Sequence, residues 1–318
     1  MARVWILGGG LIGCGWAAAF AGAGHIVTVV DPDAAAGGRL DATWEAAKPV
    51  MARLGTLADD VVPPRLCGRV EDCGPAPELV QEALPERLDL KRAALSALEP
   101  YLDAGTLIAS SSSGLSPDAM QAGLAHPGRL FIAHPCNPPY LMPVVELCGG
   151  AATAEAVLAR ADAFYAAMGK TVLRMTRPVP GHLVNRLQAA LWREAVHLAG
   201  EGVASLADIE RAVTLGLAPR WCIVGPSTVF HLAGAEGGMA RFLEALGPEF
   251  ERWWASLGTP ALDEKMRRAL VDGMNEVDPR PVGAIAAVRD ARLPELLAFL
   301  AQAGAPARER DISGGDKQ

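Results

Sequence analysis

No run of about 18 or more apolar residues escapes interruption by glycine or charge, so no membrane-spanning helix is expected. No basic block occurs either: 29 Lys and Arg against 36 Asp and Glu leave a net charge of −7. That balance argues against nucleic acid and anionic membrane surfaces as partners. The six cysteines (14, 67, 73, 136, 148 and 222) form no C-x-x-C pair and have no histidine at zinc-finger spacing. They read as free thiols of a reducing compartment, which points to the cytoplasm, and no metal site is expected. Internal repeats are absent. The opening Met1-Ala2-Arg3 before an Ala-rich apolar stretch imitates a secretory signal, but three glycines interrupt it.

What is present begins with those glycines. Arg3 to Leu7 is a short apolar run, followed by Gly8-Gly9-Gly10-Leu11-Ile12-Gly13 and then a stretch of helical character to Ala21. Gly8, Gly10 and Gly13 fill a G-x-G-x-x-G pattern in strand–turn–helix context. It allows a tight turn, close approach of a pyrophosphate at Leu11 and Ile12, and packing of helix on strand. The next strand, His25 to Val30, ends in Asp31, 18 residues past Gly13. A carboxylate there accepts from ribose hydroxyls and repels a 2′-phosphate, so the cofactor read from these residues is NAD rather than NADP.

A second feature is Phe131-Ile-Ala-His134-Pro135-Cys136-Asn137-Pro138-Pro139, with Glu146 twelve residues after the histidine. Apolar runs at Leu130–Ala133 and Val144–Leu147 read as strands, and the Pro-rich stretch between them cannot continue a ladder. Such a pair can set a histidine opposite a carboxylate, a general base with its orienter. The alternative is a core histidine satisfied by a carbonyl.

Up to about residue 178 the chain alternates strand-like and helical stretches. It has helices expected at 33–54, 86–98 and 153–168 and strands at 79–84, 106–109 and 171–175, with a short one near Arg69. Arg177-Pro178-Val179-Pro180-Gly181 breaks any regular element. Beyond it the pattern is helical, with segments at 183–200, 208–215, 230–246 and 263–274. The expected fold is α/β, a Rossmann-type doubly wound sheet followed by an all-helical domain. The division is 1–178 for NAD, 179–304 for substrate and dimerisation, and 305–318 as a frayed tail. Apolar surface along 183–198 exceeds what a small helical domain buries and suggests a homodimer.

Together these residues resemble the 3-hydroxyacyl-CoA dehydrogenase superfamily over essentially the whole chain. The resemblance implies that Glu86 and Lys91, in Gln81 to Lys91, border the nicotinamide end. It further implies that Ser113, in Ser110 to Leu115, contacts the substrate hydroxyl, that His134 and Glu146 form the catalytic dyad, and that Asn185, in Pro180 to Leu187, hydrogen-bonds the reacting oxygen. Read alone, Ser113 has the alternative of a turn or capping hydroxyl, and Asn185 that of a capping or domain-interface amide. His182 departs from the family's aromatic residue and is expected to pack.

Within the superfamily the chain is similar to the branch acting on free 3-hydroxy acids. Val80 to Lys91, His134 to Tyr140, and Gly225-Pro226 with His231 resemble its gulonate-type members. Ala190 to Leu198 and Leu232 to Met239 lean to the carnitine type. The implied reaction is NAD-dependent oxidation of a small, gulonate-like hydroxy acid. The alternatives are L-carnitine, a short acyl-CoA thioester, and a non-catalytic crystallin-like NAD-binding protein. The stretch from Asp31 to Arg69 is short for the extra helical pair of CoA-binding members. Arg220, in a loop Gly216 to Trp221, is the candidate carboxylate clamp, or else a surface arginine. Trp221 offers a face for a quaternary ammonium.

Overall fold

The computed structural model describes residues 1–304; the tail expected from 305 lies outside the described residues. Two compact units divide the chain, Met1–Leu187 and the remainder from Gln188. The Pro-rich break at 177–181 lies within the first unit and is hydrogen-bonded into it: Gly181 N–H donates to the Ser113 carbonyl at 2.9 Å.

Eight strands form one sheet: β1 (Arg3–Leu7), β2 (Ile26–Val30), β3 (Arg65–Cys67), β4 (Leu79–Glu82), β5 (Leu107–Ser110), β6 (Leu130–Pro135), β7 (Val144–Gly149) and β8 (Thr171–Arg174). Their order is β3-β2-β1-β4-β5-β6-β7-β8, and every pairing is parallel except β6 with β7. The first six strands follow the doubly wound order whose switch point lies between β1 and β4. Five helices join them: α1 (Leu11–Gly22), α2 (Ala36–Leu54), α3 (Leu88–Leu98), α4 (Pro117–Gln121) and α5 (Glu155–Ala167).

Strand residues alternate between two apolar layers, which is why the central strands read as unbroken hydrophobic runs. Val4, Ile6 and Val29 pack with Trp16 and Phe20 of α1, Trp44 of α2 and Tyr165 of α5. Trp5, Val80, Ile108 and Ile132 pack on the other face with Leu95 and Leu98 of α3 and Met120 of α4. β2 and β3 are linked by the single helix α2, with no second helix between them.

Several boundaries differ from the sequence expectation for local reasons. β3 lies before Arg69, in register with β2 from Thr28 to Val30; Arg69 itself only precedes a 3-10 turn and pairs with Glu71. β4 stops at Glu82, whose carboxylate accepts the Leu84 N–H at 2.6 Å just ahead of Pro85. α2 begins late because Asp33 spends its side chain on the Ala35 amide.

The second unit is helical. It carries most of α6 (Val184–Gly200), then α7 (Leu206–Arg211), α8 (Ala218–Ile223), α9 (Pro226–Ala233), α10 (Gly238–Ser256), α11 (Glu264–Val277) and α12 (Val282–Gly304). The helix expected at 208–215 is α7 running into a π-helical turn, Ala212–Leu217, ahead of Pro219. The expected 230–246 segment is broken between α9 and α10, where Gly238 takes φ +57°. α12 had no counterpart in the sequence reading, having no distinct apolar face. Among the described residues no helix is long and apolar enough to cross a membrane.

Candidate active site

The glycine loop closes the carboxyl end of β1. Gly8 has φ +100°, and a Cβ there would lie 2.8 Å from the Ala83 carbonyl oxygen. A Cβ on Gly13 would fall 1.8 Å from the Gly8 oxygen, so α1 can approach β1 this closely only with glycine. Gly10 is different: nothing lies within 4 Å of its virtual Cβ. This N-cap and the exposed Leu11 after it leave the first turn of α1 open, with Ile12 half-buried behind. First-turn amides have no intrahelical acceptor and attract anions. The loop therefore fits a dinucleotide pyrophosphate.

Asp31, at the end of β2, faces this loop. Its Oδ2 accepts the Gly9 N–H at 2.6 Å and its Oδ1 the Asp33 N–H at 2.9 Å. Each oxygen keeps a further lone pair for a ribose hydroxyl. Arg39 adds a group the sequence reading missed: its Nε donates to the Gly9 carbonyl and an Nη to Asp33. A solitary arginine on a helix gives no sequence signal for such a position.

Two acids, Glu82 at the end of β4 and Glu86 just beyond it, shape the serine loop. Lys91, only 1 % exposed, donates to Glu82 Oε1 at 2.7 Å and to the Leu84 carbonyl at 3.0 Å. Ser110 donates to the other oxygen of Glu82. Lys91 lies farther from Glu86, at 3.5 Å. Glu86 instead accepts from Ser112 Oγ at 2.6 Å and from the Gly114 and Leu115 amides. Burial pushes the Glu86 carboxyl upward, but these donors and the Lys91 charge outweigh it and hold it below the usual carboxylate range. Lys91 is thus an internal cation fixing Glu82. Nothing in the sequence signals Glu82's role, because its side-chain partners come from other elements, Lys91 from α3 and Ser110 from β5.

The antiparallel register sets His134 directly opposite Glu146 across β6 and β7. Glu146 is fully buried, 0 % exposed. Its Oε2 lies 2.8 Å from His134 Nδ1, and its Oε1 accepts the Leu183 and Val184 amides at 2.7 and 2.9 Å. Burial alone would raise the Glu146 pKa. The bonds from His134, Val184 and Leu183 prevail, and its pKa falls below the ordinary carboxylate value. Held ionised, Glu146 keeps the proton of His134 on Nδ1 and turns Nε2 outward as a lone pair. Ser113 Oγ stands 3.0 Å from that nitrogen and Asn185 Nδ2 3.4 Å from it. Ser113, His134, Glu146 and Asn185 therefore meet in one place. Arg220 and Trp221 belong to the second unit, on the short helix α8 rather than in a loop, because Pro219 starts a new turn there. Arg220 is exposed and its Nε donates to the Gly216 carbonyl.

This geometry has a definite chemical capability: His134 Nε2 can accept a proton, the ionised Glu146 can stabilise the imidazolium so formed, and Ser113 and Asn185 can hold an oxygen beside it. NAD, when bound, supplies the hydride acceptor. A doubly wound sheet with an open glycine turn and a His–Glu dyad defines a nicotinamide-dependent dehydrogenase acting on a CH–OH group.

Residues 3–178 match the NAD-binding domain of 3-hydroxyacyl-CoA dehydrogenase and residues 181–271 its C-terminal domain. The chain belongs to this family. L-carnitine dehydrogenase of Streptomyces coelicolor is 44 % identical over 93 % of both chains. The enzyme of that name from Oceanobacillus iheyensis is 35 % identical over 86 % of this chain and 89 % of its own. Among solved structures, the NAD+-dependent dismutase 5-formyl-3-hydroxy-2-methylpyridine 4-carboxylic acid 5-dehydrogenase superposes with TM-score 0.82 at 25 % identity. It covers 94 % of this chain and 98 % of its own.

Two outcomes are expected. His134→Ala lowers turnover by roughly 10²–10⁴ with NAD affinity unchanged in calorimetry; turnover near that of the wild type would remove His134 from the base role. Lys91→Met strands Glu82 in the interior and lowers stability by about 3–5 kcal/mol in urea unfolding. A loss below about 1 kcal/mol, the size of a surface pair, would show that the pair is not the internal anchor.

Proposed function

We propose that the chain oxidises the 3-hydroxyl of L-carnitine to the 3-keto acid with NAD, through His134 as base and Glu146 as its orienter. The observation that carries this reading is the similarity, at 44 % identity over 93 % of both chains, to an L-carnitine dehydrogenase. Carnitine is itself a small free 3-hydroxy acid, so the wider reaction class expected from the sequence is kept. Its gulonate-like member is not supported by these relatives.

The residues behind the gulonate lean have local structural jobs. Gly225 and Pro226 form the N-cap and first residue of α9, and His231 Nδ1 accepts the Met239 N–H at 3.1 Å. Neither job depends on the substrate. A CoA thioester is disfavoured by the lone helix between β2 and β3, which leaves no extra helical pair for a nucleotide carrier. Trp221 is the face assigned to the trimethylammonium group, by cation–π attraction. Arg220, which with Ile223, Val229 and Leu232 lines an apolar hollow of about 740 Å³ in the second unit, is the carboxylate partner in this reading. Its Nη groups make no hydrogen bond among the described residues.

The working form in this reading is a cytoplasmic homodimer joined through the helical unit. Within 188–304 the buried hydrophobics include Val196, Ile209 and Phe242, whereas Leu215, Trp254 and Val271 are each 65–75 % exposed. These exposed apolar side chains are the observation that supports an interface on the helical unit. The six cysteines are all free thiols, which suits a reducing compartment.

NADH fluorescence with L-carnitine, L-gulonate, 3-hydroxybutyrate and 3-hydroxybutyryl-CoA at equal concentrations is expected to give the highest kcat/KM for L-carnitine. A preference for any of the other three overturns the substrate assignment. Light scattering at micromolar concentration is expected to give twice the 33.2 kDa chain mass; a monomer mass would refute the dimer.

A further inference from the structure

His182 is a second imidazole inside the site, and the chemistry above gives it no task. It is 2 % exposed, and its ring centroid lies 4.8 Å from that of His134 at an interplanar angle of 48°. Its backbone takes φ +49°, one of two non-glycine residues in the left-handed region among the described residues. Its Nε2 lies 2.8 Å from the Ser112 carbonyl oxygen. A carbonyl only accepts, so Nε2 carries the proton and Nδ1 is a lone pair. That Nδ1 is buried with no hydrogen-bond partner.

An aromatic hydrocarbon would fill the same space without stranding a nitrogen, and it would tolerate burial better. Packing, the role expected from the sequence, therefore does not explain an imidazole here. The Nε2–H bond to Ser112 does. It ties the serine loop to the turn Val179–Leu183, and the same turn is closed by His182 N–H on the Val179 carbonyl at 3.0 Å. Gly181 N–H makes a parallel tie to the Ser113 carbonyl. The next two amides, of Leu183 and Val184, are the ones that hold Glu146.

We propose that His182 is a positioning residue of the dyad: pinned to the Ser112 carbonyl, it fixes the turn that aims two amides at Glu146 and holds Ser113 against His134. The proposal rests on His134 and Glu146 being the catalytic pair. His182 works as a neutral group. Burial lowers its pKa, and the His134 charge adds to this, against the opposing pull of the Ser112 bond and of the Glu146 and Glu86 carboxylates. A proton on Nδ1 would be a buried, unpartnered N–H beside the imidazolium that His134 becomes.

The test compares His182→Phe, which keeps the aromatic volume, with His182→Gln, whose amide N–H can reach the same carbonyl. His182→Phe is expected to melt within a few degrees of the wild type and to bind NAD equally in calorimetry. Its kcat should fall roughly 10–100-fold, the scale of a small misplacement of reacting groups, with KM little changed. Glu146, less firmly held by its amides, should bind the dyad proton more tightly, so the acid limb of the kcat/KM profile should move to higher pH. His182→Gln should recover most of kcat and the wild-type limb. A His182→Phe enzyme with wild-type kcat and pH profile overturns the proposal. So does one that loses stability and NAD binding together and is not rescued by Gln, since that marks a merely structural residue. If His134→Ala keeps its turnover, the dyad reading falls and this inference with it, whatever the His182 variants do.

Discussion

The carboxylate of Glu146 is the point on which the site depends. A buried carboxylate is costly unless charge and hydrogen bonds compensate it. Here its two oxygens take the Nδ1–H of His134 and the amides of Leu183 and Val184. Each partner fixes something further. The imidazole is held in one tautomer, and the amides hold the chain as it leaves the Pro-rich break for α6. The register of β6 on β7 supplies the opposing position of histidine and acid, so the sheet's one antiparallel pairing builds the His–Glu pair. Because the Glu146 pKa is lowered in the folded state, this anchor stabilises the fold above the ordinary carboxylate pKa. The contribution is lost as pH falls through the lowered value.

A second set of acids does related work on the neighbouring strand ends. Glu82 is neutralised internally by Lys91 and receives Ser110, while Glu86 gathers Ser112 and the amides of Gly114 and Leu115. Ser113 thus rises from a loop fixed on both sides, by Glu86 and by the tie from Gly181 to its own carbonyl. The backbone that carries the hydroxyl beside His134 is fixed, which suits oxygen positioning. The same strand ends, β1 and β4, flank the switch point, where the open first turn of α1 fits a dinucleotide.

The parts legible in the sequence were those with local signatures. The glycine spacing, the acid ending β2 and the two apolar runs around the His–Pro–Cys–Asn–Pro–Pro turn each dictate backbone geometry within a few residues. What stayed hidden is set by pairing between different elements. Nothing local marks Glu82 as the partner of Lys91, Arg39 as a donor to Gly9, or His182 as a donor to a carbonyl 70 residues earlier. Lys91 was legible as a residue of the site's border but not as an internal cation, because burial of a lysine depends on an acid from another element. The split of α9 from α10 turned on the backbone of Gly238, and α12 lacks the apolar periodicity that betrays a surface helix. The substrate lean toward gulonate rested on Gly225, Pro226 and His231, residues that cap and brace a helix.

The most direct test of the account is the protonation of His134 in the resting enzyme. With 15N-labelled histidine, nitrogen–proton correlation spectra distinguish a protonated ring nitrogen from a lone-pair nitrogen, and the His134 signal among six histidines is assigned by its loss in His134→Asn. Above the pH at which the dyad ionises, the proton should sit on Nδ1 with Nε2 unprotonated, and Glu146→Gln should alter that signal. A neutral His134 protonated on Nε2 would have no lone pair facing Ser113 and Asn185, and would contradict its assignment as the base.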